Sequence, residues 1–505
     1  MTPRLSRLAT AHGTWRAVTA TIAAVAAVAG SYAYAGRTPA FVGAPASAFV
    51  VETMPAVIVN TTLELLGPLA QPASLVLALG LATGLLAAAI LTCLEIEVLA
   101  DLRYLGAALS IGIVWLVTAA LTDATAAALA AAAPAGVVVG VVEYAAAHDP
   151  LSVRRDRNVD RTKRATLQAG FGVLSFAGLA AVLGRRRTPD SSVPFLGGGS
   201  QPPIGERALL ERARRAAFGL PDAPGLVSEI GAFYTVDINT IDPIVERDGW
   251  QLSITGDVDA ELTIGYDDLR EREAEQFYST LRCVGEDLND REMDTAVWTG
   301  VPVADLLEEA GSNAEYAVAR ADDGFWNTIR REELERSYLV YGMNGRVLPR
   351  EHGHPVRLLV PGNWGEVNVK WLTEIELTDE DVDGYWEERD WDGTGEVETV
   401  AKLWSVDRGD DGRVTVGGHA YAGLAGVDRV EVSIDGGDSW TDAELSPELE
   451  ADDAWRQWRH AFEPTADSHE VVVRAIDGDG TVQTDEPSGP KPDGATGWVS
   501  RTIEA

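Results

Sequence analysis

Phe277-Tyr278-Ser279-Thr280-Leu281-Arg282-Cys283-Val284-Gly285 is the stretch on which the reading of this chain turns. Its aromatic, β-branched and apolar residues over 277–281 read as a strand that delivers Arg282 and Cys283 to a glycine turn. Only two cysteines occur in 505 residues, and the other, Cys93, lies in a long apolar region. Cys283 therefore stands alone in the polar part of the chain, without a disulfide partner there. A lone thiol is ordinarily a small, inert core residue. Its neighbourhood decides whether that holds here.

The charge is divided sharply. Residues 1–190 carry 14 basic and 11 acidic side chains, leaving 27 basic against 66 acidic in 191–505, a net charge of −39 for that part. Such a surface repels nucleic acid, which removes DNA and RNA from the list of partners. Trp, Val and Leu persist among the acidic groups, so this is a folded acidic domain, not a solvating tail. Lysine is confined to Lys163, Lys370, Lys402 and Lys491. An acidic, lysine-poor surface is the composition of salt-loving microbes, in which concentrated salt screens the self-repulsion.

Five stretches of the first 187 residues are apolar over about 20 residues, the length that crosses a bilayer: 14–35, 71–93, 103–122, 124–146 and 165–184. Residues 38–70, interrupted by Pro39, Pro45, Pro55 and Pro68, read as a surface-lying or re-entrant piece, with a sixth span as the alternative. Arg4, Arg7, Arg16 and the basic loop 147–164 place those ends in the cytoplasm, and five spans then put the C-terminal part outside. The triplet Arg185–Arg187 falls on the expected outer side and opposes that orientation. Only His12 and His148 lie in this half, both at its edges, so buried haem has no axial histidines and the region reads as a multi-pass anchor.

A Pro/Gly/Ser-rich linker, 188–225, with a short basic helix over Arg207–Phe218, leads into strands and turns. Phe233–Asp237 reads as extended, Trp250–Gly256 as an alternating strand, Ile264–Arg272 as a helix start, and Ala304–Ala310 as an amphipathic helix capped by Gly311. TLRCVG over 280–285, WTGVPVADLLEEAG over 298–311 and YGMNGRVLPREHGHPVRLLVPGNWGEVNVKWL over 341–372 then follow in order. Together they resemble the molybdopterin-binding domain of the sulfite oxidase family over 226–395. Residues 396–505, with an alternating run Val427–Gly437, a strand Glu470–Ala475 and Trp440, Trp455 and Trp458, resemble that family's immunoglobulin-like dimerisation domain. The expected architecture is thus an all-α anchor (1–187), an α+β molybdopterin-binding domain (226–395) and an all-β sandwich (396–505).

The resemblance implies a molybdenum–molybdopterin cofactor with one pterin, for which Cys283 is the metal-binding thiolate. It implies cofactor contacts from Phe233, Tyr234 and Asp237 through the backbone, from Asp322 or Asp323, and from His352, Arg357, Asn368, Val369 and Lys370. Soft thiolates suit such a metal, and localised positive charge from Arg357 and Lys370 suits a cofactor phosphate. On the substrate side the chain departs from the family. The segment Phe233–Asn239 lacks the expected basic residues, and Trp391 stands where a tyrosine is expected. Arg282, beside the thiol, or Arg389 would have to supply positive charge for an anion. The expected function is oxygen-atom and two-electron exchange between a small molecule and a separate electron-transfer protein or quinone pathway, in a homodimer formed through the C-terminal domain. No cysteine cluster or CxxCH motif offers an internal relay. Two other readings are a protein-methionine-sulfoxide-reductase-like activity and a non-catalytic assembly module.

Overall fold

The computed structural model describes residues 3–147, 156–187, 193–198, 200–392 and 395–504. They form two units, one of residues up to 190 together with Asp237–Ile244, the other of Ser191–Val236 and Val245–Ala505.

The first unit is helical: α1 (Pro3–Ala35), α2 (Ala44–Thr53), α3 (Ala56–Leu66), α4 (Ala70–Ala100), α5 (Leu105–Thr122), α6 (Thr125–Ala147) and α7 (Asp156–Arg187). Five helical segments are long and apolar enough to cross a membrane: Gly13–Ala35, Ala70–Ala100, Leu105–Thr122, Thr125–Ala145 and Lys163–Arg187. The proline-broken region becomes α2 and α3, bent at 106° and compatible with a broken span or a re-entrant loop. Small side chains make the interior: Ala20, Ala23, Ala24 and Ala27 of α1 cluster with Ala127, Ala131 and Ala135 of α6. Small residues let these helices approach one another closely. Large apolar residues face outward instead, Val76, Leu99, Leu129, Val137, Phe171 and Leu174 among them. Arg154 and Arg155 of the basic loop lie outside the described residues.

In the second unit α8 (Ile204–Ala216) precedes two mixed α/β layers and a sandwich. The strands and helices of the first part are β1 (Gln251–Gly256), β2 (Leu262–Gly265), α9 (Tyr266–Glu271), β3 (Glu275–Arg282), β4 (Met293–Pro302), α10 (Val303–Ala310), β5 (Tyr316–Ala321), β6 (Trp326–Arg330), α11 (Arg331–Glu335), β7 (Tyr338–Met343), β8 (Arg346–Val347), β9 (Arg357–Leu359) and β10 (Leu372–Thr378). One sheet runs β2-β1-β10-β5-β6, with β1 and β10 parallel; the other runs β3-β4-β7-β8, with β9 also on β7. Strand β4 is buried along nearly its whole length, its polar Asp294, Thr295 and Thr299 included. Helix α10 buries Val303, Leu306, Leu307 and Ala310, the stripe its spacing dictates, and stops at Gly311 in the left-handed conformation. One expectation shifts: the stretch 264–272 splits between β2 and α9. Phe233–Asp237 pairs in no sheet. The basic helix of the linker is docked: Thr299 Oγ1 donates to Glu206 at 3.0 Å, and Tyr278 donates to the Leu209 carbonyl at 2.6 Å.

The C-terminal part is all-β: β11 (Val400–Arg408), β12 (Val414–Tyr421), β13 (Val427–Ser433), β14 (Thr441–Asp442), β15 (Glu444–Leu445), β16 (Arg456–Phe462), β17 (Ser468–Asp477) and β18 (Val499–Glu504). They form sheets β11-β12-β16-β15 and β14-β13-β17-β18, whose inner faces share one core that includes Trp458. Trp440 is not in that core; it stacks beside Arg474, 4.0 Å from the guanidinium, and against Trp498. Trp455 is buried in the seam with the α/β part, where its indole donates to the Leu226 carbonyl at 2.9 Å.

Polar groups fill that seam. The Asp453 carboxylate accepts from Ser279 Oγ, from Tyr421 at 2.5 Å and from the Gly362 amide at 3.0 Å. Burial nevertheless pushes its pKa up to about 7, against the pull of these donors. A raised acid binds its proton more tightly folded than unfolded, so its stabilising contribution is complete below the ordinary carboxyl range near pH 4. That contribution is lost as pH rises through about 7. Asp453→Asn should therefore flatten the fall in thermal midpoint between pH 5 and pH 8, read by tryptophan fluorescence at constant high salt; an unchanged slope would contradict the assignment.

Candidate active site

Strand alternation sets the first feature of the site. Successive side chains of a strand point to opposite faces, so Arg282, at the end of β3, and Cys283, just beyond it, leave the chain in opposite directions. Arg282 turns into the seam and is fully buried. Its Nε donates to Glu286 at 3.1 Å, and its two terminal nitrogens donate to the Glu398 and Ala495 carbonyls at 2.8 and 3.1 Å. Lys402 meets the same Glu286 carboxylate and donates to the Asp290 carbonyl at 2.9 Å. The guanidinium expected to serve an anion beside the thiol is thus engaged elsewhere. Arg389 folds back over Tyr385, with its Nη1 donating to the Tyr385 carbonyl at 2.6 Å.

Cys283 sits in a recess, with its amide donating to the Glu292 carbonyl at 2.9 Å. Burial raises its pKa well above the usual thiol value, and the Glu292 and Glu286 carboxylates push the same way. Space remains beside the sulfur. A Cβ on Gly285 would fall 3.7 Å from Cys283 Sγ and 3.8 Å from Trp391 Cη2, so the absent side chain leaves a cradle between thiol and indole. The benzene edge of Trp391 faces this opening, and its Nε1 is buried without a hydrogen-bond partner among the described residues.

The basic cluster lies on the turn around Gly353. A Cβ there would stand 3.0 Å from Lys370 Cβ and 3.1 Å from Arg357 Cβ, and its φ of 106° is one that only glycine adopts freely. This one residue lets His352, Arg357 and Lys370 converge. His352 is buried, and desolvation aided by Lys370 and Arg357 lowers its pKa to about 3, so the ring is neutral. Arg357 donates to the His352 and Asn368 carbonyls at 3.3 and 3.0 Å. Lys370 Nζ donates to the Val236 and Glu351 carbonyls at 3.1 and 3.2 Å.

Asn368 and Val369 do structural work: Asn368 Oδ1 accepts from the Val360 amide at 2.7 Å, and the Val369 carbonyl accepts from the Leu358 amide at 2.8 Å. The amide of Asp322 donates to the Trp371 carbonyl at 3.0 Å while its side chain faces solvent. The Asp323 carboxylate instead closes its own turn by accepting from the Phe325 amide at 3.0 Å. Asp237 belongs to the helical unit, where its carbonyl accepts from Gln71 Nε2 at 2.7 Å.

Phe233 and Tyr234 bridge thiol and basic cluster. The Phe233 ring packs edge-on against His352 at 5.4 Å between centroids and stacks with Tyr234 at 5.6 Å. Asp294 on β4 holds the segment, accepting from Ser228 Oγ at 2.5 Å and from the Tyr234 amide at 2.8 Å. The sequence reading overlooked Glu286, Asp294 and Lys402. A lysine inside the apolar strand Val400–Val406 was the one local sign of a buried charge.

A soft thiol with open space beside it, and two cations gathered against one glycine turn of a strongly acidic domain, form a donor set that fits a thiolate-ligated metal and a phosphate-bearing cofactor. The comparisons agree. Residues 239–386 match the oxidoreductase molybdopterin binding domain, and residues 393–488 match the Mo-co oxidoreductase dimerisation domain. The two matched domains support a molybdopterin oxidoreductase of the sulfite oxidase family.

Within that family, mitochondrial sulfite oxidase of Mus musculus is 29% identical over 278 residues, 44% of this chain and 51% of that one. Sulfite oxidase of Arabidopsis thaliana is 26% identical over 356 residues, 56% of this chain and 90% of that one. The chain spans about half the length of the mammalian relatives it matches, 51% of the mouse protein and 55% of the rat and human ones. Among solved structures, the sulfane dehydrogenase SoxCD of Paracoccus pantotrophus covers 55% of this chain and 81% of its own, with a TM-score of 0.49 and 20% identity. Family membership implies a molybdenum–molybdopterin cofactor.

Proposed function

We propose that the protein is a membrane-anchored molybdoenzyme that exchanges an oxygen atom and two electrons between a small substrate and a separate electron carrier. The observation that carries this reading is the thiol of Cys283 beside the Gly285 cradle, joined through Phe233 and Tyr234 to the cluster of His352, Arg357 and Lys370. When bound, the cofactor supplies two-electron redox chemistry and accepts or releases the oxygen atom. The chain's own residues then have distinct tasks. Cys283 provides the thiolate ligand, and coordination removes a proton that burial otherwise retains. Lys370 and Arg357 neutralise the cofactor phosphate, neutral His352 offers a ring nitrogen, and Asn368 and Val369 keep the strand that carries them in register. Asp322 is the acidic group left facing outward for a further contact, since Asp323 is committed to its turn.

The helical unit is the anchor: five segments have the length and composition of spans, and their outward residues are large and apolar. We place domain limits at 1–187, 188–225, 226–395 and 396–505, with the catalytic part outside the cell and a homodimer through the sandwich.

One observation favours a substrate other than sulfite. The leading charges acting on the Cys283 thiol are carboxylates, and Arg282 is locked in the seam, so an anion gains little there. Reduction of a sulfoxide, which takes two electrons and two protons and releases a sulfide and water, needs no cation beside the metal.

Purified full-length protein should contain close to one molybdenum per chain; metal-free protein from a host that makes the cofactor would sink the reading. Lys370→Ala should lower molybdenum occupancy about 10–100-fold at limiting cofactor, the scale of outer contacts that hold a metal site. Sulfite oxidation and sulfoxide reduction, assayed side by side on the loaded protein, decide the direction and the substrate class.

A further inference from the structure

The tyrosine expected at the reacting centre is replaced by Trp391, whose benzene edge faces the thiol opening and donates no hydrogen bond from that edge. The structure offers a phenol from a different segment. A Cβ on Gly365 would lie 2.6 Å from the Tyr234 hydroxyl and 2.9 Å from the Arg282 carbonyl oxygen, so the phenol stands beside the peptide that joins Arg282 to Cys283. A side chain at 365 would displace it; glycine leaves it room. The ring is fixed on both sides, by stacking on Phe233 at 5.6 Å with planes 16° apart and by the Asp294 carboxylate on its own amide. Phe233 is itself held edge-on by Trp298 at 5.7 Å and by His352. The Tyr234 ring is thus oriented by its neighbours. The ring is half-buried, and its hydroxyl lies close to the Gly365 backbone. An oriented donor beside the peptide that leads into the one thiol of the domain suits a ligand oxygen.

We propose that Tyr234 is the hydrogen-bond donor of the substrate site. Its hydroxyl donates to the oxygen of a small, uncharged molecule whose apolar flank lies on the benzene edge of Trp391. This deepens the oxidoreductase reading above and rests on it for the identity of the reaction, but the placement of the phenol beside Cys283 is testable separately. No covalent step is assigned to Tyr234. It orients the acceptor oxygen and holds its own proton while doing so.

Two measurements on full-length protein test the inference. In the molybdenum-loaded enzyme, Tyr234→Phe should weaken dimethyl sulfoxide binding, measured calorimetrically, by about three- to tenfold, the size of one neutral hydrogen bond. Molybdenum content should be unchanged, and Trp391→Tyr added to Tyr234→Phe should restore part of the loss by returning a phenol to the same opening. In cofactor-free protein, Cys283 is alkylated with iodoacetamide, which carries an acceptor oxygen, and with methyl iodide, which carries none. Tyr234→Phe should slow the first about three- to tenfold and leave the second alone, again the worth of one hydrogen bond.

Equal slowing of both reagents, or unchanged rates with both, would overturn the placement of the phenol. Dimethyl sulfoxide binding as tight in the loaded variant as in the parent would overturn its role toward substrate. If the parent chain took up no molybdenum while the alkylation difference persisted, the donor beside the thiol would stand and the proposed enzymatic function would fall.

Discussion

Cys283→Ser is expected to abolish turnover while leaving the chain folded. A serine hydroxyl is a hard, poorly ionised donor, and the metal expected here prefers a soft thiolate. The loss should exceed the 10–100-fold typical when an outer contact of a metal site is removed, and should be accompanied by a changed molybdenum spectrum or lost metal. The substitution is nearly isosteric and the residue closes a strand end, so the tryptophan emission and thermal midpoint of the full chain in detergent and high salt should barely move. A serine variant that retains parental activity would remove Cys283 from the ligand role. One that fails to fold would show that the thiol is core after all, and Cys283→Ala, which keeps a small apolar side chain, separates that outcome from loss of a ligand.

The second large effect lies in the seam. Glu286 is buried between two cations, Arg282 and Lys402, and its second oxygen accepts from the Glu292 amide at 3.0 Å. Burial lowers the Lys402 pKa to about 8, so that ammonium is held charged chiefly by the carboxylate beside it. Glu286→Gln would leave two buried positive charges without their counter-ion. Removing one partner of a buried pair costs about 3–5 kcal/mol, and chemical denaturation followed through Trp364, Trp404 and Trp455 should show a loss of that order. Lys402→Met should cost less, because it leaves the Arg282–Glu286 pair intact. The double variant Glu286→Gln/Lys402→Met should recover part of the single Glu286 loss, as groups in one network are not additive. Additive losses would mean that the three side chains do not act as a unit. Because Arg282 precedes Cys283, the same variant should also reduce molybdenum retention.

Much of the fold was legible locally. A span is a run of apolar residues, an amphipathic helix is a spacing, and the strand before Cys283 is a pattern of β-branched and aromatic side chains; each is written within a few residues. The apolar segments expected over 14–35, 71–93, 103–122, 124–146 and 165–184 correspond to five long helices, and α10 ends at Gly311 as its composition requires. The unpaired course of Phe233–Asp237 was not legible. Its alternation and aromatic content suit a strand, but a strand also needs a neighbour with free backbone groups. Here Asp294 takes the Tyr234 amide with a side chain instead.

The site divides in the same way. By itself the sequence determined that Cys283 is the sole thiol of an acidic domain and that HGHPVR and VKW carry basic groups; the expectation that Trp391 stands in place of a tyrosine came from the family resemblance. The first two facts concern residue type and order, which the chain states outright. Only the tertiary structure decided that Arg282 serves the seam and not the thiol. Alternation puts the two residues on opposite faces, but what each face meets depends on carbonyls at Glu398 and Ala495, more than a hundred residues away. It likewise decided that the hydroxyl of Tyr234, 49 positions before Cys283, comes near the Arg282 carbonyl, because Gly365, still farther along the chain, leaves the space the phenol fills.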